Sequence, residues 1–307
     1  MEPLPQTSPQ AQPAQADLTA DLPADLPAAA PDVVPAGVPL SAAAGAPAPI
    51  HLNPLSFKDP LRWLRLGWRD FLQAPAIGVF YGLCFMVMGW ALLKVYENAP
   101  AYMLALSAGF LLMGPFLCLG LYRVSQRLEN GEKPDFGDSL LAWDTRTGQL
   151  AIFGFVLLVL EMLWGRVTLV VFAVSFDGMP DFKGSLLALL EPQNLPFIAA
   201  WAAVGAIFAS LIYAVSVVSI PMILHRQTDA ITAGLTSMRL VLTQTGVMLW
   251  WAALIAGLVL LALLPWFAGL VVVGPVLGHA TWHAYRNAVA DPVLPASPGT
   301  LEAEATG

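Results

Sequence analysis

The chain contains six apolar segments, each about as long as a helix that crosses a lipid bilayer. A bilayer-spanning helix needs about 20 predominantly apolar residues. The segments cover residues 76–95, 101–122, 150–174, 197–222, 247–264 and 266–285. Only 11% of all residues are charged, whereas a typical soluble domain has about 25%. We therefore predict an all-α integral membrane fold with six transmembrane helices. The last two should form a tight hairpin, because the break at Leu264-Pro265-Trp266 separates them.

The positions of lysine and arginine predict which side of the membrane each loop faces, because cytoplasmic loops carry an excess of both residues. One set of loops and flanking segments is rich in basic side chains: Lys58, Arg62, Arg65, Arg69, Arg123, Arg127, Lys133, Arg146, Arg226, Arg239 and Arg286. The opposite loops contain only Lys94 and Lys183, together with several acids. We expect a protein of the bacterial cytoplasmic (inner) membrane with both termini in the cytoplasm.

The two ends of the chain differ from its apolar middle. Residues 1–50 are rich in alanine and proline, and they contain acids but no lysine or arginine. Such a segment has too few large apolar side chains to form a core. It also lacks the basic start and short apolar region of a cleavable signal. We predict that residues 1–50 and 291–307 are disordered tails and that residues 55–290 form the six-span domain.

An amphipathic segment, DPLRWLRLGWRDFLQ, precedes the first span on the predicted cytoplasmic side. Its arginines form one stripe, and leucine, tryptophan and phenylalanine form the neighbouring arc. A basic stripe beside such an apolar arc is typical of a helix that lies in the membrane interface. The residues that we assign to this interfacial helix are Arg62, Arg65, Trp68, Arg69 and Asp70.

Similar amphipathic segments begin at Asp135 and Asp229, ahead of the third and fifth spans, and each even-numbered span contains a proline. These features predict three parallel two-span units, each preceded by a cytoplasmic amphipathic segment. Helix contacts within a bilayer should use small residues, because lipid provides no hydrophobic drive for association. Candidate packing rows are Gly78 with Gly82, Gly274 with Gly278, and Ala202, Ala206, Ser210 and Ala214.

Two charged residues, Glu161 and Arg166, lie inside the third apolar segment. Glu161 lies about 16 Å along the helix from Leu150, near the bilayer midplane. A charge there costs at least about 2.5–3.5 kcal/mol on insertion scales, so each residue needs a partner or a wet cavity, and Glu161 can also be protonated. The two are about 140° apart around the helix, so partners on other spans are expected. Two hypotheses follow: Glu161 and Arg166 line an ion or proton pathway, or they form buried polar contacts that hold the helices together.

His279 and His283 lie four residues apart in GHATWHAYR, at the predicted cytoplasmic end of the sixth span. The spacing places both imidazoles on one helical face, where they can share a metal ion. A zinc site needs a third or fourth ligand, and the candidates are Asp70, Glu161 and His225. Haem would need one or two axial histidines. Metal or haem at His279 and His283 is thus one hypothesis.

The alternative hypothesis for these histidines is an anchor at the membrane surface. Trp282, Tyr285 and Arg286 would form an aromatic and basic belt there, and histidine is well tolerated in such a belt.

No P-loop, GxGxxG, HExxH or GxSxG motif occurs in a supporting context. Serine, threonine and acidic residues show no spacing typical of a nucleophile and its base. We therefore assign no catalytic residue and no firm cofactor, and an enzyme is the least supported class. The charge distribution also gives no indication of nucleic-acid binding.

Five stretches carry a family resemblance: LGWRDFLQAPAIGVFYG, GLYRVSQRLENGEKP, Trp164-Gly165-Arg166, PMILHRQTDAITAGLTS and GHATWHAYR. Together they resemble a bacterial integral-membrane family classed as domain of unknown function 2189, over roughly residues 55–290. The resemblance implies a multi-span inner-membrane protein of undetermined role, without established catalytic residues. Some members are labelled as cytochrome c oxidase subunits. A chain with only four histidines is too poor in haem and copper ligands for the catalytic subunit, so the label implies at most an accessory or assembly component.

These observations support two main hypotheses for function. The first is a non-enzymatic accessory or assembly component, with the lipid bilayer and respiratory-complex subunits as its partners. The alternative is a small-solute or proton transporter or permease that uses Glu161 and Arg166. An enzyme acting on lipid or quinone at the cytoplasmic interface is a third and weaker hypothesis.

Overall fold

The computed structural model of this chain describes residues 50–98, 103–142, 144–175 and 195–289. The two predicted disordered tails lie outside these ranges, except for Ile50. Within these ranges every regular element is helical, apart from an isolated bridge between Leu52 and Val289. The predicted all-α class is therefore confirmed.

Ten α-helices form the described part of the chain. They are α1 (Asp59–Gln73), α2 (Pro75–Asn98), α3 (Met103–Glu129), α4 (Phe136–Leu140), α5 (Thr147–Ser175), α6 (Leu195–Ser216), α7 (Ser219–Arg226), α8 (Ala230–Thr243), α9 (Thr245–Leu263) and α10 (Leu270–Ala288). A short 3₁₀ turn, Asp144–Arg146, precedes α5.

Four stretches of the described residues are long and apolar enough to cross a membrane. They are Pro75–Val95, Thr147–Ser175, Leu195–Arg226 and Thr245–Leu263. These stretches correspond to the predicted spans one, three, four and five. The predicted spans two and six correspond to α3 and α10, which are helical but do not belong to these four. A count of six spans therefore remains a prediction.

The chain reverses direction between α9 and α10, at the predicted break. Trp266 and Phe267 have positive φ angles of 52° and 66°, which bulky residues rarely adopt. The indole N–H of Trp90 donates a hydrogen bond of 2.8 Å to the carbonyl of Trp266. A side chain of α2 therefore holds this turn.

The bend between α1 and α2 recurs between α8 and α9. Ala74 has φ −132° and ψ 55°, and Gln244 has φ −126° and ψ 41°. Each N–H donates to a carbonyl four residues earlier, that of Asp70 or of Leu240. Each amphipathic helix thus ends, and the apolar helix after it begins, in the same backbone geometry.

Helix α10 lies at the centre of the packing, in contact with α1, α2, α3, α7 and α9. Most of its residues from Pro275 to Ala288 are buried. Gly67 of α1 and Gly82 of α2 lie directly against the α10 backbone, with no room for a Cβ atom. These close approaches explain how two helices fit against one central helix.

The predicted packing role of Gly82, Gly274 and Gly278 is confirmed. Gly82 faces the backbone of α10, Gly274 faces Phe85 and Gly278 faces Leu121. The predicted small-residue row on α6 is not buried between helices in the described structure. Within the described part of the chain, Ala202, Ala206 and Ser210 are exposed and Ala214 is half-buried.

The segment before α1 connects two distant parts of the fold. The N–H of Asn53 donates to the carbonyl of Ala288 at 2.9 Å, at the end of α10. The Gln244 side chain donates to the Asn53 carbonyl at 2.7 Å and accepts from the Leu55 N–H at 2.6 Å. The bend before α9 is therefore tied to the start of α1.

Removal of the N-terminal cap of α8 should loosen the first turn of that helix. Asp229 Oδ1 accepts a hydrogen bond of 2.9 Å from the Thr232 N–H. Loss of such a cap costs about 0.5–2 kcal/mol, so the first-turn amides of Asp229→Ala should exchange with deuterium roughly 2- to 30-fold faster. Asp229→Asn keeps an acceptor oxygen and should stay close to the wild type. Equal exchange in Asp229→Ala and the wild type would contradict this role.

The same cap should make the stability of α8 depend on pH with a defined sign. The hydrogen bonds from Thr232 hold the pKa of Asp229 below its usual value. The stabilisation is therefore complete above the unfolded-state pKa and is lost as the pH falls through the lower folded-state pKa. The difference in amide protection between the wild type and Asp229→Ala should be largest at neutral pH and should shrink under acidic conditions.

Candidate functional site

Residues of α3, α5 and α6 line a cavity of about 340 Å³. Pro115 comes from α3, Glu161 and Trp164 from α5, and Gly205 and Tyr213 from α6. Most of the remaining wall is aliphatic or aromatic. The cavity therefore surrounds the residue that the sequence places near the middle of the bilayer.

Two polar groups of α5 line this cavity without a hydrogen-bond partner among the described residues. Glu161 is 8% exposed, and its Oε1 atom is buried and unpaired. The indole N–H of Trp164 is also buried and unpaired. Residues three positions apart lie on the same side of a helix. Each such group costs about 1–3 kcal/mol when it stays unpaired, so a bound molecule that paired both would be stabilised.

The other polar side chains of the cavity wall already have partners. Tyr213 Oη donates to the carbonyl of Met248 at 2.7 Å. Ser216 Oγ donates to the carbonyl of Ile212 at 2.6 Å. Glu161 and Trp164 are therefore the side chains of this wall with unused polar atoms.

Arg166, the other charged residue of α5, lies in a different environment from Glu161. Its side chain is exposed, and no described residue forms an ion pair with it. It lies nine residues before the end of α5 at Ser175, about 14 Å along the helix axis. A long arginine side chain can extend from such a position toward the membrane surface.

A second group of polar side chains lies where α1, α3 and α10 meet. We call Asp70, Ser125, His279 and His283 the α10 cluster. Ser125 Oγ donates to Asp70 Oδ2 at 2.7 Å, and His283 Nε2 lies 2.8 Å from the same oxygen. Ser125 Oγ also lies 2.8 Å from His279 Nδ1. Asp70 thus links α1 to both neighbouring helices.

The hydrogen bonds of the α10 cluster favour one tautomer of His279. The single hydroxyl proton of Ser125 is donated to Asp70, so the Ser125 oxygen accepts from Nδ1–H of His279. Nε2 of the neutral ring is then a lone-pair atom. This atom is fully buried and has no hydrogen-bond partner among the described residues.

The prediction that His279 and His283 bind a metal or haem stays a prediction. The described ranges contain no group of three or more His, Cys, Asp or Glu side chains that could hold a metal ion. Of the candidate third ligands, Asp70 contacts His283. Glu161 lines the cavity of α3, α5 and α6, and the Nδ1 atom of His225 lies 2.8 Å from a tyrosine hydroxyl of α10.

The aromatic residues around these histidines lie inside the helix bundle. Trp282 and Tyr285 are both 0% exposed, so they do not form a lipid-facing belt. The indole N–H of Trp282 donates to Glu129 at 3.0 Å, and Arg286 donates to the same carboxylate at 3.0 Å. This end of α10 is therefore fixed to the end of α3.

The residues assigned to the interfacial helix occupy two environments. Asp70 is only 5% exposed and points into the α10 cluster. The interfacial assignment did not predict this buried position, although Asp70 shares a helical face with Trp63 and Gly67 rather than with the arginines; Asp70 was predicted near the histidines only as a candidate metal ligand. Sequence reasoning missed Ser125, for which the sequence offered no signal. The exposed members are Arg62, Arg65, Trp68 and Arg69.

Residues 103–225 match the model of a family described as predicted integral membrane protein, DUF2189. The predicted resemblance is thereby confirmed over a narrower range than residues 55–290. The matched range contains α3 to α7, including the residues that line the cavity. No curated protein and no solved structure matches the chain.

Proposed function

Because residues 103–225 of this chain match the model of a family described as predicted integral membrane protein, we propose that the chain is a permease for a small solute. In this proposal it lies in the bacterial cytoplasmic membrane, with six spans and both termini in the cytoplasm. Its three two-span units are parallel repeats, a common basis of transporter folds. The shared bend geometry at Ala74 and Gln244 supports a common origin of the first and third units.

The observation that carries this proposal is the pair of unpaired polar groups in the cavity of α3, α5 and α6. Ionisable residues inside spans usually mark a substrate or ion pathway. Ligand sites are usually mostly apolar and contain a few polar groups that orient the ligand. The proposed solute is therefore small and mainly apolar, and it offers a donor to Glu161 and an acceptor to Trp164. The Glu161 carboxylate can also take up a proton during transport.

Substitution of Glu161 should abolish coupled proton movement. The purified protein is reconstituted into liposomes that contain the pH-sensitive dye pyranine, and proton influx is followed after a pH gradient is imposed. The wild type should carry protons in the presence of transported solutes from a panel of small lipophilic compounds. Glu161→Gln keeps the size of the side chain but cannot ionise, so its solute-dependent influx should fall to the level of empty liposomes.

Two controls separate this effect from general damage. Glu132→Gln changes an exposed carboxylate far along the chain from the cavity, and its flux should match the wild type. At Gly205, an added Cβ would lie 3.9 Å from the Trp164 nitrogen, which is an ordinary contact distance. Gly205→Ala should therefore retain flux, whereas Gly205→Phe should fill the cavity and abolish it. Unchanged flux in both Glu161→Gln and Gly205→Phe would refute the permease.

The accessory role predicts a different set of results. An accessory component would co-purify with respiratory oxidase subunits and would show no solute-dependent flux. Haem and metal analysis of the purified protein adds a second test. A near-stoichiometric haem or metal that is lost in His279→Ala and His283→Ala would favour a redox or assembly role over the permease.

A further inference from the structure

Helix α1 exposes two different faces next to the face that packs on α10. Its packing face contains Trp63, Gly67 and Phe71, all of them buried. Successive helical residues turn by about 100°, so most of the exposed residues of α1 form an apolar strip and a basic strip. The apolar strip consists of Leu61, Trp68 and Leu72, and the basic strip of Arg62, Arg65 and Arg69.

The large side chains of the apolar strip are exposed on the surface of the bundle. Leu61 is 55% exposed, Trp68 is 45% exposed and Leu72 is 57% exposed. These residues follow directly beside the packing face around the helix. They therefore lie at the outer edge of the bundle, where the acyl chains of the bilayer would cover them.

The basic strip borders the apolar strip on the side away from the packing face. Arg62, Arg65 and Arg69 are exposed, as is Lys58 just before α1. None of these four side chains has an ion-pair or hydrogen-bond partner for its cationic group within the described residues. The two acids nearest along the chain have other partners: Asp59 accepts a hydrogen bond from the Ser56 N–H at 2.7 Å, and Asp70 accepts one from Ser125 Oγ at 2.7 Å. The charge of the strip is therefore uncompensated by the described protein.

We propose that the basic strip of α1 binds the headgroups of anionic phospholipids. With the apolar strip in the acyl-chain region, the arginines lie level with the phosphate groups of the same leaflet. Arginine donors match phosphate oxygens in geometry. The partner is thus a lipid whose headgroup has a net negative charge, such as phosphatidylglycerol.

Helix α8 indicates which part of this arrangement is specific to α1. It ends in the same bend, and it also exposes large apolar residues, namely Ile231, Leu235 and Leu242. Its only basic residue is Arg239. Both helices present an apolar strip to lipid, but only α1 presents a row of cations. Anionic-lipid binding should therefore concentrate at α1.

Native mass spectrometry of the full-length protein in detergent can test this proposal. The protein is titrated with phosphatidylglycerol or phosphatidylcholine that have identical acyl chains. The wild type should bind phosphatidylglycerol at least roughly tenfold more tightly. Each arginine near an anionic lipid surface contributes roughly a fivefold effect, so the triple variant Arg62→Gln, Arg65→Gln, Arg69→Gln should lose this preference and keep its phosphatidylcholine affinity.

A paired cation elsewhere in the chain provides a matched control, and quenching of Trp68 fluorescence provides a second measurement. Lys94→Gln removes a cation that already pairs with Glu97 at 2.8 Å, and it should leave the preference unchanged. In nanodiscs, brominated phosphatidylglycerol should quench Trp68 more than brominated phosphatidylcholine, as judged by the difference from Trp68→Phe. Equal binding of both lipids by the wild type, or a preference that survives in the triple variant, would overturn the proposal.

Discussion

Asp70→Ala should destabilise the folded protein by about 2–4 kcal/mol, because the buried donor Ser125 and the half-buried donor His283 lose their acceptor. Ser125 Oγ and His283 Nε2 lie 2.7 and 2.8 Å from the same Asp70 oxygen. Asp70 is 5% exposed, so water cannot easily replace the carboxylate. The substitution also removes the polar link between α1 and the two helices beside it. Unfolding in mixed micelles of mild detergent and increasing dodecyl sulfate measures the free-energy change.

The comparison with Asp70→Asn separates the role of the acceptor from that of the charge. Asparagine keeps one acceptor oxygen at a similar position, so about half of the destabilisation should remain. In a double-mutant cycle, Asp70→Ala and His283→Ala should together cost less than the sum of the single substitutions, because they share one contact. A change below about 0.5 kcal/mol for Asp70→Ala, the range of ordinary surface substitutions, would contradict a stabilising role of the α10 cluster.

Gly82→Val should prevent normal packing of α2 on α10 and should destabilise the protein by about 3 kcal/mol or more. A Cβ at position 82 would collide with the backbone of Val271. Backbone atoms cannot rotate away as a flexible side chain can, so the two helices must separate. The separation would also weaken the contact between Gly274 and Phe85. The expected result is a low yield of monodisperse protein and early unfolding in the same detergent titration.

Gly257→Val is the matched control for this substitution. It lies in α9, another apolar helix, and a Cβ there would meet no heavy atom within 4 Å in the described structure. The same change in residue type should therefore cost less than about 0.5 kcal/mol there, as for other substitutions that create no close contact. If Gly82→Val and Gly257→Val had equal effects, close approach of α2 to α10 would not be important for stability.

Part of the candidate site could be predicted from single residues and their depth. Glu161 stood out because a charge in the middle of an apolar segment is costly. The second unpaired polar group of the cavity, the Trp164 indole, did not stand out, because tryptophan is common in apolar helices. The helices that complete the cavity come from separate parts of the chain. Their arrangement depends on tertiary packing that no local pattern specifies.

The histidine pair also shows that a local pattern predicts a helical face but not what surrounds it. The i, i+4 spacing correctly predicted that His279 and His283 share a helical face, since they contact Ser125 and Asp70, which are hydrogen-bonded to each other. The sequence also suggested that Trp282 and Tyr285 lie at the membrane surface, but both are buried. An aromatic residue near the end of an apolar helix can face lipid or protein, and the choice depends on which helices surround it.

The sequence by itself determined the all-helical class, the apolar stretches and the amphipathic character of α1 and α8. Each of these properties depends on the period of a helix and on the composition of a short segment. Only the tertiary structure decided that Asp70 meets a histidine 213 positions later in the chain. That contact exists because Gly67 lets the backbone of α1 approach α10 closely, and such an approach depends on both helices at once.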